Sequence, residues 1–455
     1  MNTKLAWLVA TSLIALAAPS HAAVSAEEAK ALGTTLTEMG AIKAGNKEGT
    51  IPEYTGGLTK APPGFKPNSG YWVDPFAGEK PLYRIDGKNV AQHADKLSES
   101  QKLLLKTYPE YYLDVYPTHR SAAYPEAVLK ATVRNATTCT AGKDYFSVDV
   151  ACRGGVPFPI PKNGNEVMWN LALRYSVATD VTTEHGVSWL IDSKGQQTVV
   201  SDQFTRTERP YYQLDQKDRD PNMILRTYSV AKAPARISGQ MTMLVDYIDM
   251  DGKPRRAFNY SPGQRRVKLA PEFAYDTPVS QLGGVTLFDE LFLFSGKMDR
   301  FDFKLVGRKE MLIPYNNYKF YGECKNAQQF VGTHLNPACE RWELHRVWVV
   351  ESTLKPGQRH AYAKRTYYLD EDGSGAGMFD AFDKGGELYR GMFQNTIQLY
   401  DHLTPYSGKT VTYDFSKRML LLIGDVSAGG YLISPKNLAE VDLSPEAVVG
   451  RETVR

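Results

Sequence analysis

The sequence predicts a mainly β protein with helices (α+β), built on a large antiparallel sheet, and three observations carry that prediction. Residues 239–250 (GQMTMLVDYIDM) alternate, with Met241, Met243, Val245 and Tyr247 on one face and Thr242, Leu244, Asp246 and Ile248 on the other. That is the two-residue period of a strand. Asp251-Gly252 follows, suited to a two-residue hairpin turn, so 254–260 runs back antiparallel, and Pro262-Gly263 marks the next reversal. The segment 258–271 (FNYSPGQRRVKLAP) is thus a point about which strands fold. Neither face of 239–250 is properly polar, and a strand apolar on both sides needs cover on both sides. One side is expected to be core and the other a cavity.

In chain order, 1–22 read as a signal peptide. Lys4 supplies a basic start, 5–18 an apolar run, and Ser20-His21-Ala22 a small-x-small cleavage site after Ala22. The run is shorter than the roughly 20 residues of a membrane span. A helical and extended proline-rich arm is expected over 23–135. It holds a helix over 26–39 opened by a Ser25/Glu28 capping box, irregular chain over 45–87, a helix over 98–107 with the Ser98/Gln101 box, and a helix over 126–135. Six prolines at 52, 62, 63, 67, 75 and 81 keep 45–87 irregular. Residues 108–124 form a tyrosine-rich patch expected to pack a loop onto the body. The sheet domain, with a C-terminal extension, is expected over 136–455. There 156–164 (VPFPIPKNG) is a rigid entry and 166–175 (EVMWNLALRY) a helix packed against or inserted into the sheet. Strands are expected at 187–191, 198–207 after a Lys194-Gly195 turn, 223–229, 301–313, 342–354 and 360–369. Turn signals about ten residues apart make this a meander.

Four cysteines suit an oxidising compartment. Local pairing, Cys139 with Cys152 and Cys324 with Cys339, is favoured among the three arrangements because each pair flanks a short turn-rich segment. Each bridge closes a loop of about 15 residues, for which chain entropy suggests roughly 3 kcal/mol. Zinc is disfavoured because neither pair has C-x₂₋₄-C spacing. A net charge of +3 is too mild for a nucleic-acid binder, and Arg255-Arg256 with Arg265-Arg266-Lys268 read as solvated strand faces.

No Gly-x-Ser-x-Gly, Gly-x-Gly-x-x-Gly, P-loop or His-Glu-x-x-His occurs, so no catalytic residue, cofactor or metal site is assigned. Residues 370–375 (DEDGSG) place Asp370, Asp372 and Ser374 at alternating positions as in a calcium loop, but Ala381 stands where the bidentate glutamate belongs. The turn is therefore expected to be acidic and solvated.

Five motifs together resemble a bacterial periplasmic family of unknown function (domain of unknown function 1329) related to outer-membrane lipoprotein-sorting proteins. They are PFPIPKNGNEVMWN (157–170), YSPGQRRVKLAP (260–271), FKLVGRKEMLIPYN (303–316), ELHRVWVVESTLK (343–355) and KRTYYLDEDGSG (364–375). This chain departs from the family pattern at Leu171, where His is frequent, and over 373–377, where Trp is frequent. The resemblance implies a LolA/LolB-like architecture: a large curved antiparallel sheet, an unclosed barrel, with helices covering its concave face. It also implies a periplasmic carrier or chaperone for a lipid, lipoprotein or other hydrophobic ligand, working with an inner-membrane exporter of the resistance-nodulation-division type toward an outer-membrane acceptor.

An acyl chain crossing water exposes about 0.8 kcal/mol of unfavourable surface per methylene, which an apolar cavity offsets. Met241, Met243, Tyr247, Phe292, Phe294, Met311 and Trp348 are the expected liners, being large and adaptable. An enzyme acting on envelope glycans or lipids is a first alternative and predicts a polar cleft with two carboxylates brought close. A structural outer-membrane protein is a second; an integral barrel of that kind usually ends in an aromatic residue, whereas this chain ends Thr453-Val454-Arg455.

Overall fold

The computed structural model describes residues 24–453 apart from Ala178 and Ser374. The expected signal segment, with its cleavage after Ala22, lies outside the described residues.

Thirteen strands build most of the sheet: β1 Val181–Ile191, β2 Gln197–Glu208, β3 Met223–Ala233, β4 Met241–Tyr247, β5 Arg256–Ser261, β6 Arg266–Leu269, β7 Phe301–Pro314, β8 Trp342–Leu354, β9 Lys364–Asp370, β10 Gly377–Phe382, β11 Leu388–Leu399, β12 Thr404–Asp414 and β13 Met419–Asp425. Tyr83–Ile85, Leu113–Val115 and Leu432–Ile433 complete a sheet of 16 strands. The order is β7-β8-β9-β10-β11-β12-β13-β1-β2-β3-β4-β5-β6, so the later half of the meander joins the earlier half where β13 meets β1. Leu113–Val115 joins β8 in parallel through Val115 and Trp342, and the other pairings are antiparallel. The sheet does not close, because β6 and β7 stand at its two ends. Register shifts at Ser188/Trp189 in β1, Val349/Val350 in β8 and Asn395/Ile397 in β11 bend it.

The expected antiparallel pairing forms, but not through a two-residue turn at Asp251-Gly252: the last pair is Val245 with Arg256, and in the longer connection the Asp249 carboxylate accepts from the Gly252 amide. Met241, Met243 and Val245 of β4 pair with Tyr260, Phe258 and Arg256 of β5, and Ser261 pairs with Arg266 across the Pro262-Gly263 turn. At the β1–β2 turn, Gly195 takes a φ of 81° and the Asp192 carboxylate accepts from the Lys194 and Gln196 amides. Both disulfides, Cys139–Cys152 and Cys324–Cys339, are present.

The helices are α1 Ala26–Ala29, α2 Glu99–Thr107, α3 Glu126–Thr138, α4 Gly164–Ala172, α5 Tyr318–Gly322 and α6 Pro445–Thr453. Both capping boxes form, at Ser25/Glu28 and Ser98/Gln101. The first helix nevertheless stops at Ala29 rather than reaching residue 39: Gly33 adopts φ 77°, which breaks the helix, and the β-branched Thr34 and Thr35 do not favour its continuation. In α4, Asn163 caps the helix by accepting from the Glu166 amide, and Met168, Trp169 and Leu171 are wholly buried. Gly164 lies so close to the Phe303 backbone that a Cβ there would meet it at 2.6 Å.

Strands β10 to β13 were not expected from the sequence. One face, with Phe379, Ala381 and Met392, packs into the cluster that contains α4. The other, with Met378, Phe393, Val411, Tyr413, Leu420 and Leu422, packs against Ile51, Ile85, Leu104, Leu105 and Leu113 from the N-terminal region. Covered on both faces, these strands lose the polar alternation by which a strand is recognised.

Candidate functional site

A cavity of about 240 Å³ lies between the sheet and the segment 270–300 that connects β6 to β7. Its walls come from β11, β12, β13, β1, β2, β3 and β4, which are seven neighbouring strands. Laid flat at about 4.8 Å per step these would span ~29 Å; a single small cavity touches all seven because the sheet curves round it.

Along the strands the lining follows every second residue: Gln203, Thr205 and Thr207 from β2; Leu225, Thr227 and Ser229 from β3; Thr242, Leu244 and Asp246 from β4. Small Thr and Ser side chains leave the space, and their hydroxyls are partly tied across strands, Thr207 to Thr227 at 2.9 Å and Thr205 to Ser229 at 3.3 Å. Leu225, Leu244, Leu282, Leu291, Phe288 and Ile423 supply the apolar surface.

The covering segment is held by buried ions. Asp289 accepts from Arg365 at 2.9 Å and meets His360 at 3.0 Å; Glu290 accepts from Arg390 at 3.0 Å and from the Tyr362 hydroxyl. Burial by itself would raise the Asp289 carboxyl, but Arg365 and His360 outweigh it and hold it at about 2. Arg365 is fully buried beside Phe301, Tyr362, Phe294 and Tyr367, with ring centroids 4.7 to 5.7 Å away. At the far end Arg255 grips Asp246 with two bonds of 2.6 and 2.8 Å and reaches the Ser295 hydroxyl. Both lining carboxylates, Asp246 and Glu290, are therefore engaged by arginines. Between these holds the chain takes positive φ at Phe292 (60°) and Leu293 (72°), a costly conformation that turns Phe292 into the cavity and buries Leu293 completely.

The seven expected liners are not gathered around this cavity. Phe292 lines it, and Phe294 lines a small adjoining void together with Phe292. Met241, Met243 and Tyr247 lie on the opposite face of β4, packed with Phe204, Tyr228, Leu443 and Val448 beneath α6. Met311 is buried in the cluster on the N-terminal side, and Trp348 is half-buried under Arg308, whose Cζ stands 3.8 Å from its ring centroid. The face reading of β4 thus needs correction: both faces are covered as expected, but bulky side chains fill space and small ones leave it. The signal that points to the cavity is the run of alternating Thr and Ser in β2 and β3.

The acidic turn also departs from expectation. Asp370, Glu371 and Asp372 are only 2, 6 and 4 % exposed. Arg120 grips Asp372 with two bonds of 2.7 Å, while Arg346 and Arg308 meet Glu371 at 3.1 and 3.0 Å. These arginines also donate to the carbonyls of Ile42, Ala44 and Gly40, so the turn clasps the N-terminal arm to the sheet. His345, Asp370 and Asp372 place donor atoms within 4.8 Å of one another, the spacing of a metal site. In this structure the three side chains are engaged in ion pairs. Burial lowers the His345 pKa, but Asp370 at 3.4 Å and Glu343 at 3.3 Å outweigh it and raise it to about 9. Residues 370–372 form a buried ion-pair hub.

Among the described residues, no helix is long and apolar enough to cross a membrane. The chain is 39% identical over 423 residues to an uncharacterised protein of Pseudomonas aeruginosa, covering 91% of this chain and 90% of that one. Among solved structures it is similar to a DUF1329 family protein of Desulfovibrio piger, with a TM-score of 0.42 and 12% identity over 62% of this chain and 97% of that one. A LolA superfamily protein of Nitrosomonas europaea aligns with a TM-score of 0.35 and 8% identity over 63% of this chain and 99% of that one. The family model described as "Protein of unknown function (DUF1329)" matches residues 84–448, and by that match the chain belongs to the DUF1329 family.

Proposed function

We propose that this protein carries a hydrophobic ligand, a lipid or the acyl chain of a lipoprotein, through the periplasm. In this reading it takes the ligand from an inner-membrane exporter of the resistance-nodulation-division type and delivers it toward the outer membrane. The observation that supports the reading is the cavity of about 240 Å³ under the curved sheet, with its leucine, isoleucine and phenylalanine surface. An acyl chain gains about 0.8 kcal/mol for each methylene withdrawn from water, and pockets for small ligands are concave, mostly apolar and largely preformed. Two disulfides suit an oxidising compartment. The lining carboxylates, each engaged by an arginine, favour carriage over acid–base catalysis, which needs a free pair.

Native mass spectrometry of the protein purified from its own periplasm tests the proposal, with a co-purifying hydrophobe as the expected result. A protein that is consistently empty, and that also fails to take up the apolar dye 1-N-phenylnaphthylamine, removes it. Recovery in the washed membrane pellet rather than the periplasmic fraction removes the soluble-carrier form of it.

A further inference from the structure

Two residues in the cavity wall have the wrong chemistry for an oil-only ligand. Arg174 follows α4 and Arg209 follows β2, and both line the cavity. Their guanidiniums approach the same ring, with Cζ 4.9 and 5.9 Å from the Phe292 centroid. Arg174 donates one bond of 2.9 Å to the Leu171 carbonyl at the end of α4. Arg209 is only 7 % exposed, and among the described residues its side chain makes no hydrogen bond. Neither arginine has a carboxylate within 4.0 Å among the described residues, whereas Arg255 and Arg365 each have one and Arg390 has two. Asp246 is the acidic residue whose charge reaches Arg209, but it is already gripped by Arg255.

Such a pair is a source of stress. Burial lowers the pKa of both groups, and the charge of Arg209 lowers that of Arg174 further. Arginine still stays protonated at neutral pH, so two like charges face one cavity, and the carboxylates in its wall, Asp246 and Glu290, are already paired with Arg255 and Arg390. The Tyr406 hydroxyl lies in the same wall, kept protonated by burial that raises its pKa to about 12. A donor fork of this kind matches carboxylate or phosphate oxygens. Gly375 has a part in the geometry as well: a Cβ there would stand 2.6 Å from the Arg174 Cδ, so glycine leaves the arginine its path.

We infer that the cavity takes an anionic amphiphile, with its apolar chain against Leu225, Leu244 and Ile423 and its carboxylate or phosphate head between Arg174 and Arg209, where the Tyr406 hydroxyl is a further donor. This inference rests on the carrier reading of the cavity and narrows its ligand class.

The test displaces 1-N-phenylnaphthylamine from the full mature protein with three twelve-carbon competitors: dodecanoate, dodecyl phosphate and uncharged dodecanol. At least one anion is expected to compete at tenfold or more below the concentration dodecanol requires. Whether dodecanoate or dodecyl phosphate gains more tells a fatty-acid source from a phosphate-bearing lipid. In Arg174→Gln and Arg209→Gln the preference for the anions over dodecanol, each measured in the same variant, should fall below threefold. Equal competition by all three in the wild-type protein overturns the inference and leaves hydrophobe carriage standing, as does a preference retained by both variants. If neither the dye nor any competitor binds, the carrier reading fails and this inference with it. The wild-type series decides the matter even if a variant does not fold.

Discussion

The two faces of β4 have been solved in opposite ways by the same seven residues. On one, Met241, Met243, Val245 and Tyr247 are each less than 10 % exposed and press into a filled cluster under α6. On the other, Thr242, Leu244 and Asp246 look into a hollow. The charges repeat the contrast: Arg365 and Arg390 are closed by Asp289 and Glu290, while Arg174 and Arg209 have no carboxylate partner among the described residues. Filled space and paired charge hold the fold, and unfilled space beside unpaired charge is what a ligand can use.

Breaking the paired side should have the largest effect. Asp289→Ala strands the buried Arg365 and His360, and urea unfolding should show a loss of about 3–5 kcal/mol. Met243→Ala in the filled face should lose about 2–4 kcal/mol by leaving a void, with dye binding unchanged. Acid should shrink the first of these effects. The Asp289 pKa is held at about 2, below its ordinary 3.8, so its contribution is complete above pH 3.8 and disappears as pH falls through 2. The gap between wild type and Asp289→Ala should therefore narrow by about 2 kcal/mol between pH 5 and pH 2, read from urea midpoints. On the hollow side, Thr227→Leu adds bulk where there is room. It should change stability by less than ~1 kcal/mol, against the ~1–3 expected of a packed core, and should lower the amount of dye bound. Arg209→Met should raise the stability of the empty protein by about 1 kcal/mol as like-charge repulsion is relieved.

Much of the fold was legible because local chemistry dictates it. Ser98 and Gln101 form their reciprocal cap, 342–354 is a strand between the expected residues, and Cys139 and Cys324 find the partners expected from spacing. Strands β10 to β13 were hidden because the N-terminal region covers the face that would otherwise be polar; Gln394, Asn395, Thr396 and Lys409 sit buried within them. The acidic turn was misread for a similar reason: its partners Arg120, Arg308 and Arg346 lie 25 to 252 residues away in the chain.

By itself the sequence determined which segments alternate, where they turn, where two helices begin and which cysteines lie close enough to bridge, since each depends on neighbours a few residues apart. Which face of β4 is hollow was decided only in three dimensions. So was the meeting of β13 with β1, which brings β11 to β13 round to the same cavity as β1 to β4, and the gathering of Arg174 and Arg209 over Phe292. A cavity is defined by the volume left between elements distant in the chain, and a charge by whether a partner reaches it; neither quantity exists until the sheet has curved.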